Sequence, residues 1–193
     1  DCEGWAKAGS ASGHFTFMPD PGFAPEMRSL GYDGLTDEDV FTFAVFEIGP
    51  SLVKEFAGLG YERLGKDDLV AMQIHGATPE FVRAMAALGY ERLSSDDLVA
   101  MRIHGATPEF VRELDALGYR RVDADDLVAM RIHGVSPAFI RDLAAAGYRD
   151  VAIDQLVAMR IHGVTVQFIQ ELRDRGITNL TVDELVDRRI HGR

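Results

Sequence analysis

The segment DDLVAMRIHGATPEFVRELDALGY, from Asp96 to Tyr119, restricts the fold of this chain more than any other feature. Moved back 29 residues it returns as DDLVAMQIHGATPEFVRAMAALGY, and moved forward as DDLVAMRIHGVSPAFIRDLAAAGY. The 29-residue windows that begin at Leu69 and Leu98 agree at 21 positions. A fixed period of this length belongs to stacked repeats, in which each unit buries its apolar face against its neighbours.

From Pro19 onward the chain keeps this register. Gly-Tyr pairs begin at Gly31, Gly60, Gly89, Gly118 and Gly147, and Gly176-Ile177 closes the series. His-Gly pairs begin at His75, His104, His133, His162 and His191. The segment VFTFAVFEIGPSLVKEFAGLGY holds the register with Phe46-Glu47 in place of His-Gly.

Each repeat has legible helix ends. Ser94, with Asp97 three residues later, forms a capping box for a helix A, repeated as Thr36/Asp39, Asp123/Asp126 and Thr181/Glu184. Leu93 and Leu98 flank that cap as a hydrophobic staple. Gly105 ends helix A, because glycine takes the left-handed C′ conformation without a Cβ clash. Thr107 and Pro108 then open a helix B as N-cap and N1 residue, and Gly118 closes it, with Tyr119 folding back on Leu114. Helices of about ten residues are too short to stand alone, so stacking must hold them.

The expected fold is all-α: an α-solenoid of 29-residue αα-hairpin repeats over residues 19–193, with six A and six B helices. Residues 1–18 differ in kind. Trp5, Phe15 and Phe17 surround a Gly/Ser/Ala-rich centre, which reads as a short β-hairpin with a loose turn, the tail of a missing β region. Helix B, with Phe110, Val111, Leu114 and Leu117 on one side, reads as the outer, half-exposed helix. In helix A, Leu98, Val99, Met101 and Ile103 spread around the cylinder, which points to the inner, more enclosed helix.

Charge and hydropathy narrow the partners. A net charge of −11 disfavours nucleic acid and acidic membrane surfaces, which both require a basic patch. No apolar run approaches the ~18 residues of a membrane helix, so direct insertion of this segment is not expected. Cys2 is the one cysteine and cannot form an internal disulfide. The chain starts with Asp1, which suggests a processed chain or a piece of a longer one.

The unit L-V-x-M-R-I-H-G-V-T-P-x-F-I-R-x-L resembles the C-terminal repeats of bacterial membrane proteins of the BlaR1/MecR1-like, M56 metallopeptidase class. The stretch CEGWAKAGSASGHFTFMPDP is similar to the one that precedes those repeats. That class carries its zinc on H-E-x-x-H. No such arrangement occurs here, since each repeat histidine is followed by glycine. The resemblance therefore implies an accessory or sensory segment of a membrane-anchored parent, on the extracytoplasmic (periplasmic) side.

The candidate site residues follow from the repeats. Five repeat histidines invite a metal, but equivalent residues in neighbouring repeats stand about 8–10 Å apart, and zinc needs nitrogens at about 2.0–2.1 Å. A structural role at the helix A C-terminus, bonding a free carbonyl or meeting the negative end of the helix dipole, is preferred, and no metal or cofactor is expected. The acid pairs Asp67/Asp68, Asp96/Asp97 and Asp125/Asp126 sit in first helical turns and lack calcium-loop spacing. Arg102, Arg131, Arg160 and Arg189 form a column at one helix A position, with Gln73 and Ala44 in the earlier copies. One reading makes each a long stem that pairs with an acid of the next repeat, such as Asp125 or Asp126. The other makes the column a binding stripe for carboxylates or phosphates. With no nucleophile–base pair or phosphate loop in the sequence, the expected function is a non-catalytic protein-interaction or sensing module. Its expected partner is a protein or an acidic peptide segment, which could come from the same parent. Alternatives are an accessory domain that restrains a peptidase domain, and a histidine-based metal-responsive module.

Overall fold

The structure, a computed structural model, describes residues 2–192. The side chains of residues 2–6, Ala11 and Phe15 lie outside that description, and with them the expectations placed on Cys2, Trp5 and Phe15. Strands β1 (Cys2–Lys7) and β2 (Ser10–Phe15) pair antiparallel, from Cys2 opposite Phe15 to Lys7 opposite Ser10. The turn is tight rather than loose. Ala8 and Gly9 have φ of +46° and +86°, the double left-handed turn whose twist matches a hairpin.

The remainder is helical, alternating B and A. The B helices are α1 (Phe23–Ser29), α3 (Pro50–Ala57), α5 (Pro79–Ala86), α7 (Pro108–Ala116), α9 (Pro137–Ala145) and α11 (Val166–Asp174). The A helices are α2 (Asp37–Val45), α4 (Lys66–His75), α6 (Ser95–His104), α8 (Ala124–Ile132), α10 (Ile153–Ile161) and α12 (Val182–His191). This is the α-solenoid pattern that the period requires. The chain divides into two compact units, Asp1–Ile74 and His75–Arg193, with the hairpin inside the first.

Local chemistry sets the helix ends. Thr36, Ser94 and Thr181 make full capping boxes with Asp39, Asp97 and Glu184. Asp123 occupies the N-cap of α8 without bonding through its side chain, so the box expected with Asp126 is not made. Thr78, Thr107, Ser136 and Thr165 each accept the backbone N–H of a phenylalanine three residues on, which starts every B helix of the second unit. At the far end of α7, the amide of Tyr119 donates to Leu114 O at 3.0 Å, the long bond of a Schellman stop.

Burial reverses the expected roles of the two helices. In α7, Pro108, Phe110, Val111 and Leu114 are buried, whereas α6 buries only Leu98 and Met101. Helix B is therefore the more enclosed, and helix A presents its opposite side to solvent. The physical reason is the lateral spacing. Successive A helices of the second unit (α6, α8, α10, α12) bring their backbones closer together than the B helices do. Ala100, Ala129 and Ala158 permit that approach, so the seam between A helices is filled by short side chains that stay half-buried. Met101, Met130 and Met159 are fully buried beneath it. Each such side chain contributes about 1.5–3 kcal/mol of burial.

Tyrosine hydroxyls tie successive repeats. Tyr90 donates to Val122 O at 2.6 Å, Tyr119 to Val151 O at 2.7 Å and Tyr148 to Leu180 O at 3.0 Å. In the first unit Tyr32 donates to Leu64 O at 2.9 Å in the same way. Partial burial, with nearby carboxylates adding to it, raises the pKa of Tyr32, Tyr90 and Tyr119 above the ordinary tyrosine value.

Candidate functional site

The arginine column lies in the second unit and has one repeated geometry. The guanidinium carbons of Arg102, Arg131 and Arg160 stand 5.1 Å from the ring centres of Phe81, Phe110 and Phe139. Arg189 stands 5.0 Å from that of Phe168. Each ring belongs to the first turn of the preceding helix B, 21 residues earlier in the chain. Such a contact contributes roughly 0.5–1 kcal/mol at an exposed site.

A glycine completes the arrangement. Gly76, Gly105 and Gly134 have φ of +72°, +74° and +73°. A Cβ on them would meet Nη2 of Arg102, Arg131 and Arg160 at 3.1, 3.2 and 3.1 Å. These glycines thus serve twice, as the left-handed stop of helix A and as the floor on which the next repeat's guanidinium rests. Arg131 Nε also points at His104 O, 3.4 Å away, placing positive charge at the negative end of α6.

Two expectations are corrected by this geometry. Among the described residues no acid pairs with Arg102, Arg131, Arg160 or Arg189 within 4.0 Å; the guanidinium turns back to the phenylalanine of the preceding repeat. Asp125 and Asp126 stand exposed in the first turn of α8. The histidines are the second case, for the carbonyl bond alone, since they do stand at the C-terminal ends of the A helices. His75, His104, His133 and His162 are exposed, and the carbonyl of His104 is approached by Arg131 instead of an imidazole. Among the described residues only His191 bonds its own helix, with Nδ1 at 3.1 Å from Asp187 O and 2.9 Å from Asp187 Oδ1. Among the described residues no three His, Cys, Asp or Glu side chains converge on a metal position.

The side chains that sequence reasoning misplaced are isoleucines. Ile103, Ile132, Ile161 and Ile190 are 53, 53, 54 and 50% exposed, at one position of successive A helices. They lie beside the exposed arginines, with Val99, Val128, Val157 and Val186 half-buried next to them. A signal for this was present. At about 100° per residue, Ile103 falls about 170° from the midpoint between Leu98 and Met101, opposite the buried edge. Counting every apolar residue of helix A as core hid it.

The surface is therefore an apolar ridge with about 8–10 Å between successive isoleucines, edged by guanidinium groups whose remaining N–H donors face solvent. It can hold an extended segment through apolar contacts and charge-assisted hydrogen bonds. Among the described residues no helix is long and apolar enough to cross a membrane. No protein-family model matches the chain, and no curated protein matches it.

Proposed function

We propose that this chain is a non-catalytic protein-interaction module that binds an acidic, partly apolar segment along its A helices. The carrying observation is the isoleucine column, half-exposed at the same position in four consecutive repeats of the second unit. Apolar side chains repeated at one solvent-facing position mark an interaction surface more strongly than scattered ones. The adjacent column of Arg102, Arg131, Arg160 and Arg189 supplies the sign of charge the segment must carry. Because each guanidinium is held on a phenylalanine, it is positioned before binding, which limits the ordering cost. The resemblance to the accessory repeats of membrane-anchored bacterial proteins supports a partner in the same parent chain.

The test is a peptide-display selection on the folded chain. Selected peptides are expected to combine Asp or Glu with spaced apolar residues, and to bind a variant with Ile103, Ile132 and Ile161 all changed to Ser at least tenfold more weakly. The melting temperature of that variant is expected to stay near the parent's, since these side chains already face solvent. Changing Arg102, Arg131 and Arg160 to Gln should weaken binding and also cost about 0.5–1 kcal/mol of stability per site. Equal binding by the isoleucine variant, or selection of basic peptides, would remove the proposal.

A further inference from the structure

We propose a second binding site, in the first unit, that receives an arginine side chain presented by a segment of a partner protein. A cleft of about 350 Å³ lies between the chain entering α1, α1 itself and α2. Its walls include Met18, Phe23, Ala44 and Glu47. Two periods of 29 residues further along, these positions are Gly76, Phe81, Arg102 and Gly105. Gly76, Phe81 and Arg102 are the first of the four arginine clamps. The cleft keeps the phenylalanine of that clamp, shortens its arginine to alanine and carries Met18 in place of its glycine.

The other repeats show why this matters. Glycine, phenylalanine and arginine occur together in four clamps, which end at Arg102, Arg131, Arg160 and Arg189. Where the arginine is replaced by Gln73, the ring is also gone, as Leu52, and the glycine is Glu47. Only at Phe23 is the aromatic face retained without a cation over it, among the described residues. An open aromatic face beside carboxylates suits the same planar, weakly hydrated cation that covers the other rings.

The surrounding charge selects a cation. Glu47 lines the cleft with φ of +56°, a left-handed conformation that favours glycine, and glycine stands at this position in the later repeats. Among the described residues it has no basic side chain within ion-pair distance. Asp20 adds a second carboxylate to the wall, and its Oδ1 accepts the Gly22 amide at 2.8 Å. Residues 1–74 contain 13 Asp+Glu against 5 Lys+Arg, a net of −8, while residues 75–193 contain 18 against 15, a net of −3. The acidic first unit steers a basic segment toward the cleft. Met18, 69% exposed, and Val45, 55% exposed, offer apolar contact to residues flanking the incoming arginine. This site prefers the opposite charge from the isoleucine column and does not rest on that reading.

The probe is acetyl-Leu-Arg-Leu amide, titrated into the isotope-labelled full chain by nuclear magnetic resonance, with Gln and Lys counterparts of the peptide as controls. Saturable shifts of the Phe23 ring and the Ala44 methyl are expected with the arginine peptide. Lysine should bind at least threefold more weakly, and glutamine without saturation. Ala44→Arg fills the slot from inside; it is expected to keep or raise the melting temperature and to abolish peptide binding. Equal shifts with the glutamine peptide, or shifts elsewhere, would overturn the proposal. So would Ala44→Arg lowering the melting temperature while the peptide still binds. Dimerisation of the free chain that Ala44→Arg removes, with no peptide binding, would assign the cleft to self-association and overturn the partner reading.

Discussion

The two compact units are written in the same 29-residue register, but they use it differently. In the second unit, glycine, phenylalanine and arginine recur as a clamp in every repeat, while an exposed apolar residue at the isoleucine position of helix A is common to both units, as Val45 and Ile74 in the first. In the first unit, Ala44 and Gln73 replace the arginine, Met18 and Glu47 replace the glycine, and the net charge is −8. What both keep is the buried edge and the tyrosine rung, as Tyr32 to Leu64 O and Tyr119 to Val151 O show. The period and the core tolerate loss of the clamp. Clamps are thus an addition to a stack already held by burial and tyrosine hydrogen bonds, and their loss frees a surface for other use.

The largest effect is expected at the helix A stop. Gly105→Val forces a β-branched residue to φ of +74° and sets a Cβ 3.2 Å from Arg131 Nη2. A loss of about 2 kcal/mol or more is expected in chemical denaturation, since the left-handed conformation alone costs roughly 1–2 kcal/mol. At the equivalent position of the first unit, Glu47→Gly relieves the same conformation and should raise stability by up to about 1 kcal/mol. If both changes moved stability in the same direction, glycine would not be the feature that separates the two units.

A smaller effect tests what the units share. Tyr119→Phe and Tyr32→Phe each remove one hydroxyl and leave a carbonyl unpaired. Each should cost about 1 kcal/mol, measurable as protection lost in native-state hydrogen exchange around the receiving loop. Unequal costs would show that only one unit relies on the tyrosine rung. A raised tyrosine pKa also means that this contribution holds below the ordinary value of 10.0 and is lost as pH rises through the folded value.

The smallest effect concerns an ion pair within the first unit. Lys66 Nζ lies 2.7 Å from Asp39 Oδ2. That hydrogen bond, with those of the Thr36 cap, lowers the pKa of Asp39 from 3.8 to about 2. A depressed carboxylate pKa contributes stability above the unfolded value, and the contribution is lost as pH falls from 3.8 toward about 2. Carboxyl titration by nuclear magnetic resonance should show Asp39 moving back toward its ordinary value in Lys66→Met. No movement would assign the depression to the cap alone.

Residues a few positions apart determined much of this protein before any tertiary structure formed. The period, the helices and most of their ends follow from interactions spanning three or four residues, such as Ser94 with Asp97 or Thr107 with the amide of Phe110. Such signals are local, so they stand in the sequence in readable order. The column of Arg102, Arg131, Arg160 and Arg189 was legible for the same reason, as a repeated identity. Its surroundings were not. Arg131 meets Phe110 across 21 residues and Tyr119 meets Val151 across 32, and only the packing of one repeat on the next brings them together. The exposure of Ile103 was likewise decided by how closely neighbouring A helices approach, because that spacing determines which apolar side chains fit within the seam and which remain outside it. The cleft at Phe23 belongs to the same class: substituting Ala44 for arginine leaves a space only because a phenylalanine from another helix already forms its wall.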